Sequence, residues 1–253
     1  MPVRGGGGGG GSSVVGINAT LTPVSETVTK PASGGLISGG MLDGWRMFDP
    51  LSSISTLADD GSAFSVSYHG VEGNYYEWMN NKRAYSLYPI ICWPNRIMGD
   101  FSLELKYTGN SIGNIFTSIG CIVHQRPTDT DWGHHSGIMG GRYYTSAGKA
   151  FGGSVALTTK KTTDYAYPLT WSNDNWLKVV RSEQNMTCSW KTGAGSYADL
   201  VSSDAWGMAG AAAYVGIAMF TRAGWTSSWD GSSNDIVDIL EVNLTGSEWT
   251  ATP

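Results

Sequence analysis

The chain has 253 residues, 35 of them glycine and 11 tryptophan, with 15% charged residues and a formal net charge of −5. That length suits one all-β sandwich or two smaller domains, and the acidic balance leaves no basic stripe to neutralise phosphates, which excludes a nucleic-acid partner. No run reaches the roughly 18 consecutive apolar residues of a membrane helix, so no membrane span is expected.

The opening, Met1-Pro2-Val3-Arg4, runs directly into Gly5 to Gly11. It lacks an apolar stretch and so does not read as a secretory signal. Polyglycine buries nothing and loses much entropy on ordering, so residues 5–13 read as a flexible tether. Residues 14–30 are β-prone, with Val14, Val15, Ile17, Leu21 and Val24 as apolar members, and a second Gly/Ser-rich linker follows up to Gly40. A short β segment between two linkers suits addition to something else: the domain's own sheet, a sister subunit or a larger assembly. The competing expectation is a disordered tail that contains valines. Residues 1–40 are thus expected to form an arm, and 41–253 the compact domain.

From Trp45 onward the candidate strands are 64–68, 85–91, 101–107, 116–124, 136–143, 154–159, 177–181, 186–190, 214–220 and 235–244. The clearest signal is Asn175 to Trp190. Trp176, Lys178 and Val180 alternate with Leu177, Val179 and Arg181; Ser182-Glu183-Gln184-Asn185 turns; and a second alternating run follows. Period-two alternation around a short polar turn specifies an antiparallel hairpin. Phe101 to Tyr107 alternates without a break, while in Asp235 to Leu244 a looser pattern places Ile236, Asp238, Leu240 and Val242 on one face. No amphipathic helical stretch of useful length occurs. The cysteines, Cys92, Cys121 and Cys188, are odd in number and sit beside apolar residues, which predicts buried thiols and folding in a reducing compartment.

The order of these pieces resembles the concanavalin A-like group of sandwiches, the laminin G, pentraxin and legume-lectin type, and most closely the modules appended to bacterial glycosidases. The residues that carry the resemblance are Trp45, Gly99-Asp100-Phe101-Ser102-Leu103-Glu104-Leu105, Gly120-Cys121-Ile122-Val123 and Asn175-Trp176-Leu177-Lys178-Val179-Val180-Arg181. Ala213-Tyr214-Val215-Gly216-Ile217-Ala218 and Ile236-Val237-Asp238-Ile239-Leu240-Glu241-Val242 complete it. Where such domains carry an aspartate-glycine turn closed by a tryptophan, this chain has Lys191-Thr192-Gly193-Ala194-Gly195-Ser196-Tyr197, which keeps the turn and changes the aromatic. The resemblance implies an antiparallel jelly-roll β-sandwich behind a flexible glycine-rich N-terminal arm. It implies little about function, because one fold hosts many.

Several side-chain groupings invite chemical readings. Asp129-Thr130-Asp131-Trp132-Gly133-His134-His135 contains metal-ligating types, but adjacent histidines on a strand face opposite sides, so a solvated loop entering a strand is expected. Asp230, Asn234 and Asp235 look like part of a calcium loop, yet the spacing lacks the twelve-residue pattern with its terminal glutamate. An Asx turn is the expected reading there. A Ca²⁺ site, which the resemblance implies on a sandwich edge, is the alternative; no other cofactor is expected. Asp235, Asp238 and Glu241 are spaced by three, which on a regular strand alternates their faces and provides no acid pair for glycosidic cleavage. Glu72 and Glu77 lie in an aromatic loop without a patterned partner. A non-enzyme is expected.

The aromatics are the better candidates. Tyr75, Tyr76, Trp78, Tyr143, Tyr144, Trp225 and Trp229 are flanked by polar residues and suit stacking on sugar rings. The competing role for such rings is core or subunit packing, expected for Trp45 and Trp176. A lectin-like sandwich, a glycine-rich β arm and no export signal together fit a non-enzymatic structural protein of a bacteriophage particle, either a capsid decoration or a fibre/tail protein. It would be made in the host cytoplasm and located in the virion. Its partners would be other virion proteins or its own copies in a homo-oligomer, with host-surface glycans on the exposed sandwich. The alternative is a bacterial carbohydrate-binding or glycosidase-accessory module.

Overall fold

The computed structural model describes residues 19–29, 42, 44–48, 54–59, 64–68, 90–111, 118–124, 134–142, 148–156, 159–169, 174–183, 185–204, 212–220 and 235–251. Among them are strands and turns but no helix. The strands in chain order are β1 (Ala19–Thr29), β2 (Arg46–Phe48), β3 (Ile54–Asp59), β4 (Phe64–Tyr68), β5 (Ile90–Cys92), β6 (Arg96–Ser111), β7 (Ser118–His124) and β8 (His134–Arg142). They continue as β9 (Gly148–Ala156), β10 (Thr159–Leu169), β11 (Asn175–Ser182), β12 (Asn185–Thr192), β13 (Ala198–Asp204), β14 (Tyr214–Phe220) and β15 (Asp235–Ala251). The first sheet runs β13-β12-β11-β6-β15-β4-β3, with β1 added to β15, and the second runs β10-β9-β8-β7-β14-β5-β2. All pairings are antiparallel.

Alternation decides which side chains meet between the sheets. On β6, Phe101, Leu103, Leu105 and Tyr107 are buried while Ser102, Glu104 and Lys106 point outward. On β11, Leu177, Val179 and Arg181 turn inward and Trp176, Lys178 and Val180 outward. The second sheet supplies Ile91, Ile119, Cys121, Val123, Val215 and Ile217 to the same core. Alternation of this kind is what a half-buried sheet requires. The β11–β12 hairpin closes through paired Ser182 and Asn185, with Glu183 at a positive φ of 52° and its N–H on Asp100 Oδ1 at 2.6 Å.

β15 departs from the expected pattern. Its register against β6 shifts between Ile239 and Glu241, so the core-facing residues are Val237 and Ile239 and then Val242 and Leu244. The extra residue of a β-bulge changes the parity of everything beyond it. Ile236, Asp238, Leu240 and Val242 therefore do not share one face, and Asp238 and Glu241, three apart, do.

Arm residues 19–29 lie on the chain's own sheet. β1 pairs with β15 from Ala19 opposite Ala251 to Thr29 opposite Glu241, while β4 takes the other half of the same side, residues 235–239. Val24 packs against the core and Leu21 is 54% exposed. Pro23 is at home here because an edge strand tolerates a missing N–H. Val14, Val15 and Ile17 lie outside the described residues.

Cys92, Cys121 and Cys188 are free and buried, as their apolar neighbours suggested. Burial pushes Cys92 and Cys188 up from 9.0 to about 12, and it drives Cys121 well above its ordinary value, with Cys188 adding to the effect. The unfolded chain therefore releases these protons first, and the stability they contribute is complete below pH 9.0 and is lost as pH climbs towards 12. Thermal unfolding should shift to lower temperature above about pH 9. A thiol-reactive dye at pH 8 should label none of the 3 cysteines in the native protein and all of them in guanidinium. Rapid labelling of the native protein would contradict the burial.

Candidate functional site

Polar and aromatic side chains gather on the outer face of the first sheet. Strand register lines up Lys191, Trp176, Lys106 and Glu241 in one row across β12, β11, β6 and β15, with Ser189, Lys178, Glu104 and Asn243 in the next. Tyr197 reaches this face from the β12–β13 turn. That turn is set by Gly193, at φ 55° with its N–H on the Asp174 carbonyl at 2.9 Å, and by the Gly195 N–H on the Thr192 carbonyl at 3.2 Å.

The two rings are ringed by ammonium groups. Lys191 Nζ lies 4.3 Å from the Trp176 ring centroid and 4.7 Å from that of Tyr197. Lys106 stands 5.2 Å from Trp176, and Lys178 stands 5.3 Å from Tyr197. All four are within cation–π range. Lys106 also pairs with Asp174 at 2.8 Å and Lys178 with Glu104 at 3.7 Å. The neighbouring acceptors are engaged as well: Ser189 Oγ donates to Asp199 Oδ1 at 2.9 Å, and Asn243 Nδ2 donates to Glu241 Oε1 at 2.6 Å. Burial, and then the Glu104 carboxylate beside it, push the Tyr197 hydroxyl well above the usual phenol range.

This arrangement corrects two expectations. Trp176 is not a core residue: it is half-buried on the outer face, whereas Trp45 is buried and stacks edge-on against Trp93 at 5.8 Å. The β15 bulge also brings Asp238 and Glu241 to the face that carries Glu104, where regular alternation separates them. Tyr75, Tyr76, Trp78, Tyr143, Tyr144, Trp225, Trp229, Asp230 and Asn234 lie outside the described residues, as do Glu72, Glu77, Asp129 and Asp131. Asp235 opens β15 opposite Tyr68, and His135 on β8 is paired with His124 on β7. Among the described residues no group of three His, Cys, Asp or Glu side chains could hold a metal ion. Sequence reading missed Trp176, Tyr197, Lys191 and Glu104 as a group. The signal was present in the alternation of β11, which already set Trp176 opposite to Leu177.

No family model matches the chain, and no curated protein matches it by sequence. Solved structures do match. Peanut lectin, in a complex with a 9mer peptide, superposes with a TM-score of 0.56 at 10% identity, covering 91% of this chain and 100% of the lectin. The GH43 BlXynB protein of Bacillus licheniformis gives 0.56 at 11% identity over 87% of this chain, which spans 39% of that protein's length. A functionally unknown protein from Saccharomyces cerevisiae gives 0.52 at 10% identity, covering 83% and 97% of the two chains. The likeness is one of fold: the protein is a concanavalin A-like β-sandwich.

Proposed function

We propose that this chain is a non-catalytic carbohydrate-binding protein that takes sugar on the outer face of its first sheet. The observation that carries this reading is Trp176, half-buried beside Tyr197 on an otherwise polar face, with Lys191 and Lys106 over its ring. A pyranose offers apolar C–H groups to an aromatic ring and hydroxyls to amides, carboxylates and ammonium groups around it. Asn243, Glu104, Glu241 and the lysines provide those partners within two strand positions. The lectin and glycosidase names among the structural neighbours are in keeping with this reading.

The test is calorimetric titration of neutral oligosaccharides into the wild type and Trp176→Ala. Affinity should fall about tenfold or more, with circular dichroism unchanged because the ring lies outside the core. Undiminished binding by Trp176→Ala would remove the site from consideration.

Glycan cleavage has a specific observation in its favour. Glu104 and Glu241 are diagonal neighbours on one face, a relation that sets Cβ atoms somewhat less than about 7–8 Å apart. Two carboxylates on one face are the residue types that glycosidic cleavage uses. Binding is preferred because Glu104 is held by Lys178 and Glu241 by Asn243. Release of reducing sugar during the same titration would reverse that preference.

The finer reading is a capsid decoration or fibre/tail protein of a bacteriophage, located in the virion and adhering to host glycans. Its support is the glycine tether ahead of β1 and the three free buried thiols, which suit folding in a reducing cytoplasm before release. Its own copies in a homo-oligomer, or other virion proteins, would then be its partners. Mass spectrometry of purified particles that carry the chain tests this placement directly.

A further inference from the structure

A second aromatic cluster lies on the same outer face, at the corner where the two sheets join. Ile97 of β6 bridges to Ala213 beside β14, with N–H to carbonyl contacts of 2.7 and 3.0 Å in the two directions. This join makes the two outer faces locally continuous. Leu21, Trp249 and Arg96 are cross-strand neighbours on β1, β15 and β6. The Arg96 guanidinium lies 5.6 Å from the Tyr214 ring centroid and 5.9 Å from that of Trp249. Phe48 meets Tyr214 edge-on at 6.3 Å, which extends the aromatic strip onto the second sheet.

Arg96, like Lys191, differs from the remaining cations of this face. Lys106 and Lys178 each have a carboxylate. Among the described residues Arg96 has ring contacts only, and Glu248, one residue from Trp249, is taken by the Trp93 indole N–H at 3.0 Å. Rings within cation–π range hold a guanidinium without consuming its N–H donors, and those donors match a carboxylate in bidentate fashion. Arg96 and Glu104 are eight positions apart on β6, at most about 26 Å of strand. The corner is thus a separate contact point for a long ligand already seated on Trp176.

We infer that Arg96, Tyr214 and Trp249 form a second binding site, for the carboxylate of an acidic sugar in a polymeric glycan. This rests on the carbohydrate reading above and adds the ligand class. The overall charge of −5 does not oppose it, since screening at physiological salt confines electrostatics to about 8 Å and the local group is cationic.

The test titrates the full chain with a uronic-acid oligosaccharide and with the same oligosaccharide after reduction of its carboxyls to alcohols. The wild type should prefer the acidic form about tenfold, the worth of one charge-assisted bidentate contact. Arg96→Gln should abolish that preference while leaving affinity for the reduced form unchanged, and Arg96→Lys should restore only part of it. A melting curve on each variant identifies one that fails to fold, and Trp249→Phe, which alters one stacking ring, then serves in its place with a reduced preference expected. A preference that survives in folded Arg96→Gln would overturn the placement. A sulfated oligosaccharide bound better than the uronate would overturn the carboxylate assignment. Equal affinity for acidic and reduced forms would overturn the ligand class and leave the carbohydrate reading standing. Binding of neither form would bring down that reading, and this inference with it.

Discussion

Gly216→Ala should destabilise the domain by about 3 kcal/mol or more, the upper range for overpacking a site that cannot relax. Gly216 lies on β14 between β7 and β5, paired to Ile122 on one side and Cys92 on the other. A Cβ added there would meet the Ile91 carbonyl oxygen, Cys92 Cα at 2.5 Å and Cys92 Cβ at 2.7 Å. Two of those atoms are backbone held in the sheet ladder, so the strain can be relieved only by parting β14 from β5. β5 is three residues long and also carries β2, so a parting would propagate to the edge of the second sheet. Gly193→Ala is the informative contrast. Its positive φ of 55° strains a Cβ, but nothing lies within 4 Å of the added atom, and the cost should stay near 1 kcal/mol. Urea unfolding of both variants separates crowding from backbone strain. A loss below about 1 kcal/mol for Gly216→Ala would show that the strand pair moves apart freely.

The same residue shows what the sequence could and could not reveal. Val-Gly-Ile is readable as a strand of the concanavalin A-like pattern, and β14 lies where that pattern places it. Nothing local, however, states that a neighbouring backbone passes against the glycine. Strands with regular alternation, β6 and β11, were legible as two-faced because a period of two leaves one solution, but the expectation that Trp176 packs a core put that ring on the wrong side. β15 was legible as a strand but not as a face, because its bulge is created by pairing with β6 and leaves no mark in its own residues. β2, β3, β10 and β13 escaped notice for a related reason: short or polar runs such as Arg46-Met47-Phe48 and Ala198 to Asp204 form strands only because a partner offers a ladder. The candidate site combines both kinds of information. The outward side of Trp176 is set by the alternation of β11, whereas Tyr197 reaches the site by a turn, and Arg96 reaches its separate site at a corner between the sheets.

Arg181→Ala should cost about 3 kcal/mol or more, and Arg181→Met clearly less. Arg181 is 1% exposed and occupies a core-facing position of β11, a place where its alternation partners are Leu177 and Val179. Its Nε donates to the Gly99 carbonyl at 2.6 Å and its Nη2 to the Ile97 carbonyl at 3.4 Å, and its guanidinium covers the Phe101 ring at 4.8 Å. Those carbonyls belong to the turn-like stretch of β6 in which Gly99 adopts a φ of 73°. The arginine thus ties the β11–β12 hairpin to the segment that runs from Ile97 to Phe101 and, one residue before Ile97, carries Arg96. Alanine removes both the hydrogen bonds and the packing, leaving a void beside Phe101 and taking this donor from the Gly99 carbonyl, while the Ile97 carbonyl keeps the Ala213 N–H. Methionine keeps most of the volume and loses the hydrogen bonds, about 1–2 kcal/mol. Burial lowers the Arg181 pKa to about 10 against the opposing charge of Asp100, so the group stays protonated throughout the neutral range. Above about pH 10 and below the ordinary guanidinium range the unfolded chain holds this proton and the folded one does not, so this residue raises stability with pH there and offsets part of the loss caused by the thiols. Chemical unfolding of the two variants at pH 7 measures both terms. Equal losses for alanine and methionine would assign the whole contribution to the hydrogen bonds, and a wild-type-like methionine variant would assign it to packing.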